Sequence, residues 1–192
     1  LGYRFVKRLF DLVFSLLMSV LLLIPIAIVC ALISLESPGS PMYTQERVGR
    51  GGRTIKIFKL RSMVADAGDV QKYLSPEQLH QWEVERKVDD DPRITKIGQF
   101  IRKCSIDEMP QFFNILIGDM SLVGPRPERP LFVEKFKEEI PRYMIKHQVR
   151  PGLTGWAQVN GYRGDTSITK RIEHDLYYIE NWSLGFDFKI MF

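Results

Sequence analysis

Residues 12–35 read LVFSLLMSVLLLIPIAIVCALISL and contain no Asp, Glu, Lys, Arg or His. A helix needs roughly 20 apolar residues to cross the hydrocarbon core of a bilayer, so this stretch is long enough. A secretory signal fits poorly, because its apolar region is shorter and is followed by a small-residue cleavage site. A buried core helix also fits poorly, because helices of soluble proteins normally carry a polar stripe. The sequence therefore predicts a membrane-inserted segment.

The path of this segment is not decided by its residues alone. Pro25 lies in its middle, where a proline removes a backbone hydrogen bond and predicts a kink. Basic residues flank the segment on both sides: Arg4, Lys7, Arg8, Arg47, Arg50 and Arg53. This near-symmetry does not favour ends on opposite sides of the membrane. A spanning helix and a re-entrant helix that bends at Pro25 both remain open.

The rest of the chain has the composition of a folded domain. The 192 residues are 45% hydrophobic and 26% charged, with a net charge of +4. These values argue against disorder and against a disulfide-stapled mini-protein. The modest charge and the lack of a recognition-helix or zinc-finger pattern argue against nucleic-acid binding. We expect a membrane segment over residues 1–36, with its basic N-terminal flank, and one globular domain over residues 37–192.

Patterning within residues 37–192 predicts a mainly helical α+β domain. Residues 37–53 are rich in Gly, Pro and Ser and predict a loop, whereas residues 54–60 alternate with period two and predict a strand. Helical signals follow at Ser75-Pro76, at Ser105-x-x-Glu108, over residues 130–147 and over residues 167–180. The stretch 66–90 is interpreted as a surface helix or an insert.

Asp107 and Glu108 form the densest constellation of reactive groups. At the start of a helix, two adjacent carboxylates point about 100° apart and can therefore take different tasks. One would serve as a nucleophile or metal ligand and the other as a base. Acids that only complement the helix dipole are the alternative explanation, and in isolated Asp-Glu pairs it is the commoner one.

Five basic residues are candidates for binding an anion: Lys59 and Arg61 at the end of the predicted strand, Arg102 just upstream of the carboxylate pair, and Arg126 and Arg150 beside chain-bending prolines. Arginine forks match phosphate oxygens, and glycine lets backbone amides approach an anion closely. Neither a P-loop nor a dinucleotide-binding fingerprint is present. For the arginines that follow the apolar segment, anionic lipid headgroups are an equally good partner. The run Asp89–Asp91 is interpreted as a solvated turn rather than a cation site.

Together these segments resemble the bacterial sugar transferases of the monotopic phosphoglycosyl transferase superfamily. The resemblance covers essentially the whole chain, and its motifs occur in order: Lys7–Asp11, Ser37–Pro41, Gln45–Gly49, Phe58–Met63, Asp91–Thr95, Ser105–Gln111, Gly118–Pro127, Arg150–Gln158 and Asp175–Ile179. It implies a re-entrant membrane helix kinked at Pro25 with both ends cytoplasmic. It also implies a small catalytic domain with amphipathic interface helices on the cytoplasmic face of the bacterial inner membrane.

The resemblance further implies a reaction. Members of the family transfer a sugar 1-phosphate from a UDP-sugar to undecaprenyl phosphate and release UMP. By similarity, Asp107 would be the nucleophile that forms a phosphosugar–aspartyl intermediate, and Glu108 would assist the second half-reaction. Mg²⁺ would bridge Asp107 and the diphosphate. The five basic residues named above would bind the phosphates of the substrates, with Arg150 the weakest candidate.

The segments 161–166 and 175–182 most resemble members that begin exopolysaccharide, capsule or O-antigen (lipopolysaccharide) synthesis with a hexose 1-phosphate. Glucose or galactose is the expected sugar, but no motif specifies which sugar or pathway is used. Such members often carry further N-terminal transmembrane helices, so we expect a piece of a longer protein. The sequence does not determine the oligomeric state and leaves a homodimer open. A non-catalytic membrane-peripheral scaffold, binding anionic lipid or protein partners, is the alternative function.

Overall fold

The computed structural model describes residues 1–163 and 166–192 and gives a mainly helical α+β fold, as predicted. Gly164 and Asp165, which belong to the segment 161–166 discussed above, lie outside the described residues. The α-helices are α1 Gly2–Leu21, α2 Leu23–Glu36, α3 Val70–Tyr73, α4 Pro76–Glu85, α5 Lys96–Lys103, α6 Gln111–Ile117, α7 Pro130–Glu139, α8 Trp156–Val159, α9 Ile168–Glu180 and α10 Leu184–Met191. The strands are β1 Met42–Val48, β2 Thr54–Leu60, β3 Ser121–Val123 and β4 Gly152–Thr154, and 3₁₀ helices occupy Arg50–Gly52, Ile106–Glu108 and Tyr143–Gln148.

The chain divides into two compact units that interleave along the sequence. The first unit contains Leu1–Leu21, Thr44–Phe58 and Gln111–Phe192, and the second contains Leu22–Tyr43 and Lys59–Pro110. The core of the first unit is built from Val48, Val133, Ile140, Tyr143, Ile172 and Leu176. The core of the second unit is built around Ile33, Leu60 and Ile101. The division of the chain into a membrane segment and a catalytic domain at residue 36 stays a prediction.

The apolar stretch forms two helices that break one turn before Pro25. Helix α1 ends at Leu21 because the ring of Pro25 would clash with the carbonyl four residues earlier in a continuous helix. Within α2, Pro25 is the third residue, where a backbone N–H has no partner inside the helix. Among the described residues, no single helix meets the length and hydropathy needed to cross a membrane. By those two criteria, α1 and α2 qualify only as a pair, with a bend of 54° between them.

The prediction of a strand over residues 54–60 is confirmed by β2, but the loop predicted over residues 37–53 is wrong. That stretch contains β1, which pairs with β2. Gly51 and Gly52, with φ of +71° and +76°, turn the chain between the two strands in a conformation that favours glycine. Most of β1 is exposed, so its sequence lacks the alternation of apolar and polar residues that reveals a half-buried strand.

Two predicted helix starts are confirmed, and one predicted helix is divided. Ser75 caps α4 through a reciprocal capping box with Gln78, and Ser167 caps α9. The helix predicted over residues 130–147 ends at Glu139 and is followed by the 3₁₀ helix Tyr143–Gln148. Pro141 explains the break, because a proline disfavours the α conformation in the residue before it.

Helix α1 is held to the first unit by polar residues near its start. Lys7 Nζ lies 2.5 Å from Asp187 Oδ2, and Arg8 donates 2.7 Å to the carbonyl of Ile115 near the end of α6. Asp11 accepts hydrogen bonds from Ser121 Oγ at 2.6 Å and from the Leu122 amide at 3.3 Å. A helix that is apolar over most of its length is therefore anchored by a short polar patch on one side.

Candidate active site

Asp107 and Glu108 lie in the 3₁₀ helix Ile106–Glu108 rather than in the first turn of an α-helix. Ser105 enters this turn with φ of +56° and makes no side-chain cap, so the predicted capping box is wrong. Pro110 directly precedes α6, which begins only at Gln111. Three residues per turn place the two side chains about 120° apart. The carboxylates therefore point in different directions from one rigid turn.

Both carboxylates are buried, and a lysine neutralises one of them. Asp107 and Glu108 are 6% and 8% exposed. The Nζ atom of Lys59, near the end of β2, lies 3.7 Å from Oδ2 of Asp107. Burying two adjacent anions carries a desolvation cost of several kcal/mol per ion, which a nearby cation offsets in part. A compact structural core rarely holds such a pair, so its burial indicates a site built for chemistry.

The two predicted arginines of the same unit are placed differently. Arg102 is exposed and donates from Nε to Ser62 Oγ at 2.7 Å. Arg61 is buried, and it donates to the Ser37 hydroxyl and to the carbonyls of Ser37, Gly39, Ser40 and Met63. Arg61 thus holds the chain that leaves α2, and its predicted contact with substrate phosphate stays a prediction.

The acidic run before Pro92 is not wholly solvated. Asp91 is buried and receives two parallel hydrogen bonds from Arg93, from Nε at 2.9 Å and from Nη2 at 2.6 Å. Burial raises the pKa of Asp91, but hydrogen bonds and charge from Arg93 outweigh burial, so the pKa lies below its ordinary value. The carboxylate of Asp91 is therefore paired with Arg93 and stabilises the fold.

The residues present suit a magnesium ion that is shared with a substrate. Mg²⁺ is usually bound through one or two carboxylates together with substrate phosphates and water. Asp107 with its neighbour Glu108 provides that donor set. The described residues contain no cluster of three or more His, Cys, Asp or Glu side chains able to form a metal cage. The assignment of the ion to Asp107 stays a prediction.

The loop of residues 124–128, which carries Arg126, lies in the first unit and is fixed through its backbone carbonyls. Lys146 Nζ donates 3.0 Å to the carbonyl of Arg126. The neighbouring carbonyls accept from Gly152 N, Arg47 Nη1 and Val48 N. Parallel pairing of β3 with β4 brings Gly124 and Gly152 so close that a Cβ on Gly152 would lie 2.0 Å from the Gly124 nitrogen. Arg126 is half-buried at the centre of this rigid segment.

A buried charge network supports the same loop. Lys146 and Asp175 are 3% and 2% exposed, and their charged atoms lie 3.6 Å apart. Arg171 Nη2 lies 2.9 Å from Oε1 of Glu128, the last residue of the loop. Sequence analysis missed this network. The available signal was Asp175, which lies among the apolar residues Ile172 and Leu176 on the buried face of α9.

Arg150 is also in the first unit but has a different environment. Its Nε donates 2.8 Å to the carbonyl of Gly118. Burial lowers the pKa of Arg150, and the positive charges of Arg8 and Arg50 lower it further. The predicted site residues therefore fall into two sets. Lys59, Arg61, Arg102, Asp107 and Glu108 belong to the second unit, and Arg126 and Arg150 belong to the first.

Comparison with known proteins identifies the family. The model of the bacterial sugar transferase family matches residues 2–192, which is nearly the whole chain. The chain belongs to the bacterial sugar transferases. This membership confirms the resemblance found in the sequence.

Three relatives illustrate the range of the family. A UDP-N-acetylgalactosamine-undecaprenyl-phosphate N-acetylgalactosaminephosphotransferase of Aeromonas hydrophila is 47% identical over 99% of this chain and 43% of its own length. A UDP-glucose:undecaprenyl-phosphate glucose-1-phosphate transferase of Escherichia coli K12 is 41% identical over 98% of this chain and 39% of its own length. A UDP-galactose-lipid carrier transferase of Erwinia amylovora is 43% identical over 98% and 39%, respectively. The chain thus spans about two fifths of the length of these curated relatives.

The buried pair Lys146–Asp175 generates a stability prediction. We expect Lys146→Met to lower the free energy of unfolding by about 3–5 kcal/mol, because it leaves the carboxylate of Asp175 buried without its partner. The double variant Lys146→Met/Asp175→Leu should recover most of that loss. Urea unfolding measures both, with Lys137→Met in the exposed pair with Glu134 as the control. A single variant as stable as this control would contradict the prediction.

His147 generates a pH prediction. Burial and the charge of Lys146 lower its pKa from 6.5 to about 4. Between these values the unfolded chain binds a proton that the folded chain does not, so stability falls as the pH falls through this window. We expect His147→Gln to lose less stability than the wild type between about pH 7 and about pH 5. The exposed His80→Gln should behave like the wild type, and equal losses in all three proteins would rule out this role of His147.

Proposed function

We propose that this chain is the phosphoglycosyl transferase part of an enzyme that transfers a sugar 1-phosphate from a UDP-sugar to undecaprenyl phosphate. The buried pair Asp107–Glu108, with Lys59 beside Asp107, is the observation that carries the proposal. Membership of the bacterial sugar transferases supports it, as do the names of the relatives, which act on undecaprenyl phosphate. The chain covers about two fifths of those relatives, so the activity of the whole protein is inferred.

The reaction is a double displacement at phosphorus. A carboxylate oxygen of Asp107 attacks the β-phosphorus of the UDP-sugar, and the bond from that phosphorus to the bridging oxygen breaks, so UMP leaves. An oxygen of undecaprenyl phosphate then attacks the phosphosugar–aspartyl intermediate and releases Asp107. Glu108 accepts the proton of the acceptor phosphate if the acceptor arrives as the monoanion. The different directions of the two side chains allow these separate roles.

Positive charge is needed because every reacting group is an anion. Lys59 partly neutralises Asp107 before the nucleotide arrives, and exposed Arg102 is available to the diphosphate. Arg126, on its rigid loop, and Arg150 are further candidates for phosphate contacts, whereas Arg61 holds the chain near Ser37. Mg²⁺ bound to Asp107 would supply additional charge neutralisation at the diphosphate.

The helix pair suggests where the reaction takes place. Helices α1 and α2 expose many large apolar side chains, including Leu9, Val13, Val20, Ile24 and Ile28. We infer that this pair enters the inner membrane from the cytoplasmic face, turns at the break before Pro25 and returns to the same face. A soluble nucleotide sugar and a membrane-bound polyprenol would then meet at the interface. The bend and the symmetric basic flanks support re-entry.

A hexose is the proposed sugar. Glucose or galactose is proposed from the sequence, with a role in exopolysaccharide, capsule or O-antigen synthesis. The names of the three relatives compared above contain N-acetylgalactosamine, glucose and galactose, and the three are similarly identical in sequence to this chain. A panel of these three UDP-sugars is therefore the appropriate substrate test. A scaffold without catalysis would release UMP from none of them.

The proposal predicts a clear difference between the two carboxylates. With a UDP-sugar labelled at the β-phosphate, Asp107→Asn should abolish both label on the protein and UMP release. Glu108→Gln should still accept label but transfer it slowly to undecaprenyl phosphate. The exposed Asp69→Asn serves as the control and should behave like the wild type. Label that survives in Asp107→Asn would refute the nucleophile assignment, and a wild type that releases no UMP would favour the scaffold.

A further inference from the structure

The first unit contains a cationic cavity whose lining includes Arg150, the weakest of the candidate phosphate ligands named above. Its volume is about 610 Å³. Five lining side chains are basic: Arg4, Lys7, Arg8, Arg50 and Arg150. None of the described residues that line it is Asp or Glu. The remaining wall is largely apolar and aromatic, with Phe5 and Trp182 among its members.

The basic residues of the cavity differ in how their charge is balanced. Lys7 is paired with Asp187 at 2.5 Å. Arg8 and Arg150, in contrast, donate to neutral carbonyls, those of Ile115 and Leu116 and that of Gly118. Burial lowers the pKa of Arg150, and the positive charges of Arg8 and Arg50 lower it further. The cavity therefore contains mutually repelling cations, and binding of an anion would relieve this repulsion.

The cavity adjoins an exposed apolar stripe on α1. Arg4 and Phe5 line the cavity, and Phe5 is 70% exposed. From Phe5 the exposed apolar side chains continue at helical spacing: Leu9, Val13, Leu16, Leu17 and Val20. At 1.5 Å per residue this stripe is about 22 Å long. A ligand that satisfies both features has an anionic head and long hydrocarbon chains.

We propose that this cavity binds the phosphate headgroup of an anionic phospholipid, whose acyl chains cover the exposed stripe of α1. Arginine forks from Arg4, Arg50 and Arg150 suit phosphate oxygens. Trp182, at the wall, is a residue type that prefers the headgroup level of a bilayer. The proposal does not depend on the proposed transfer reaction, because it concerns retention of lipid by the resting protein.

The test measures lipid retention by the full chain with native mass spectrometry after extraction from mixed phosphatidylglycerol and phosphatidylcholine nanodiscs. We expect selective retention of phosphatidylglycerol by the wild type. In Arg4→Gln/Arg50→Gln, retention should fall about 25-fold, since each basic residue near an anionic lipid contributes about fivefold. Both replaced residues are exposed, so the fold should persist, and thermal unfolding checks this point. The single variant Arg50→Gln provides a second measurement, in which retention of phosphatidylglycerol should fall about fivefold.

The matched control is Arg53→Gln, which removes an exposed arginine of the same turn that does not line the cavity. It should retain phosphatidylglycerol like the wild type. An equal loss in this control would show diffuse attraction to a basic surface and would overturn the proposal. Inorganic phosphate that binds the lipid-free protein with the same dependence on Arg4 and Arg50 would assign the cavity to a soluble anion. Displacement of phosphatidylglycerol by stoichiometric undecaprenyl phosphate would assign it to the acceptor. Both results would overturn the phospholipid assignment.

Discussion

Three polar side chains on α1, Lys7, Arg8 and Asp11, have to be neutralised by the protein because they lie on a helix that is otherwise mainly apolar. Lys7 pairs with Asp187 of α10, Arg8 binds carbonyls at the end of α6, and Asp11 binds the start of β3. Desolvated charges without partners would cost several kcal/mol each, so these contacts determine which side of α1 faces the protein. The opposite side is left exposed and apolar. These three residues thus mark the side of α1 that faces the protein.

The same requirement shapes the candidate active site. Asp107 is buried beside Lys59, and the rigid loop around Arg126 is supported by Lys146, whose charge is balanced by Asp175. Hydrogen-bonded and paired charges in a low-dielectric interior hold fixed positions, which is useful where anionic groups must be brought together. In the first unit, the lysine of the buried ion pair also holds the backbone carbonyl of Arg126, a proposed phosphate ligand.

Features with a local cause were predictable from the sequence. The caps at Ser75 and Ser167, the strand β2 and the break near Pro25 each depend on a few neighbouring residues. Exposed β1 was missed because strand pairing, not an apolar pattern, stabilises it. The helix over residues 130–147 was predicted too long because its apolar spacing continues through Pro141. The site residues were named from motifs, but the role of Arg61, which holds the chain near Ser37, depends on a contact between residues far apart in the sequence.

The central claim is that Asp107, in its buried turn, becomes covalently linked to the transferred phosphosugar. The most direct measurement is peptide mapping by tandem mass spectrometry of the wild-type protein, quenched after mixing with a UDP-sugar in the absence of undecaprenyl phosphate. We predict a sugar-phosphate adduct on Asp107 that disappears when undecaprenyl phosphate is added before the quench. An adduct on another residue, or UMP release and product formation without any adduct, would contradict it.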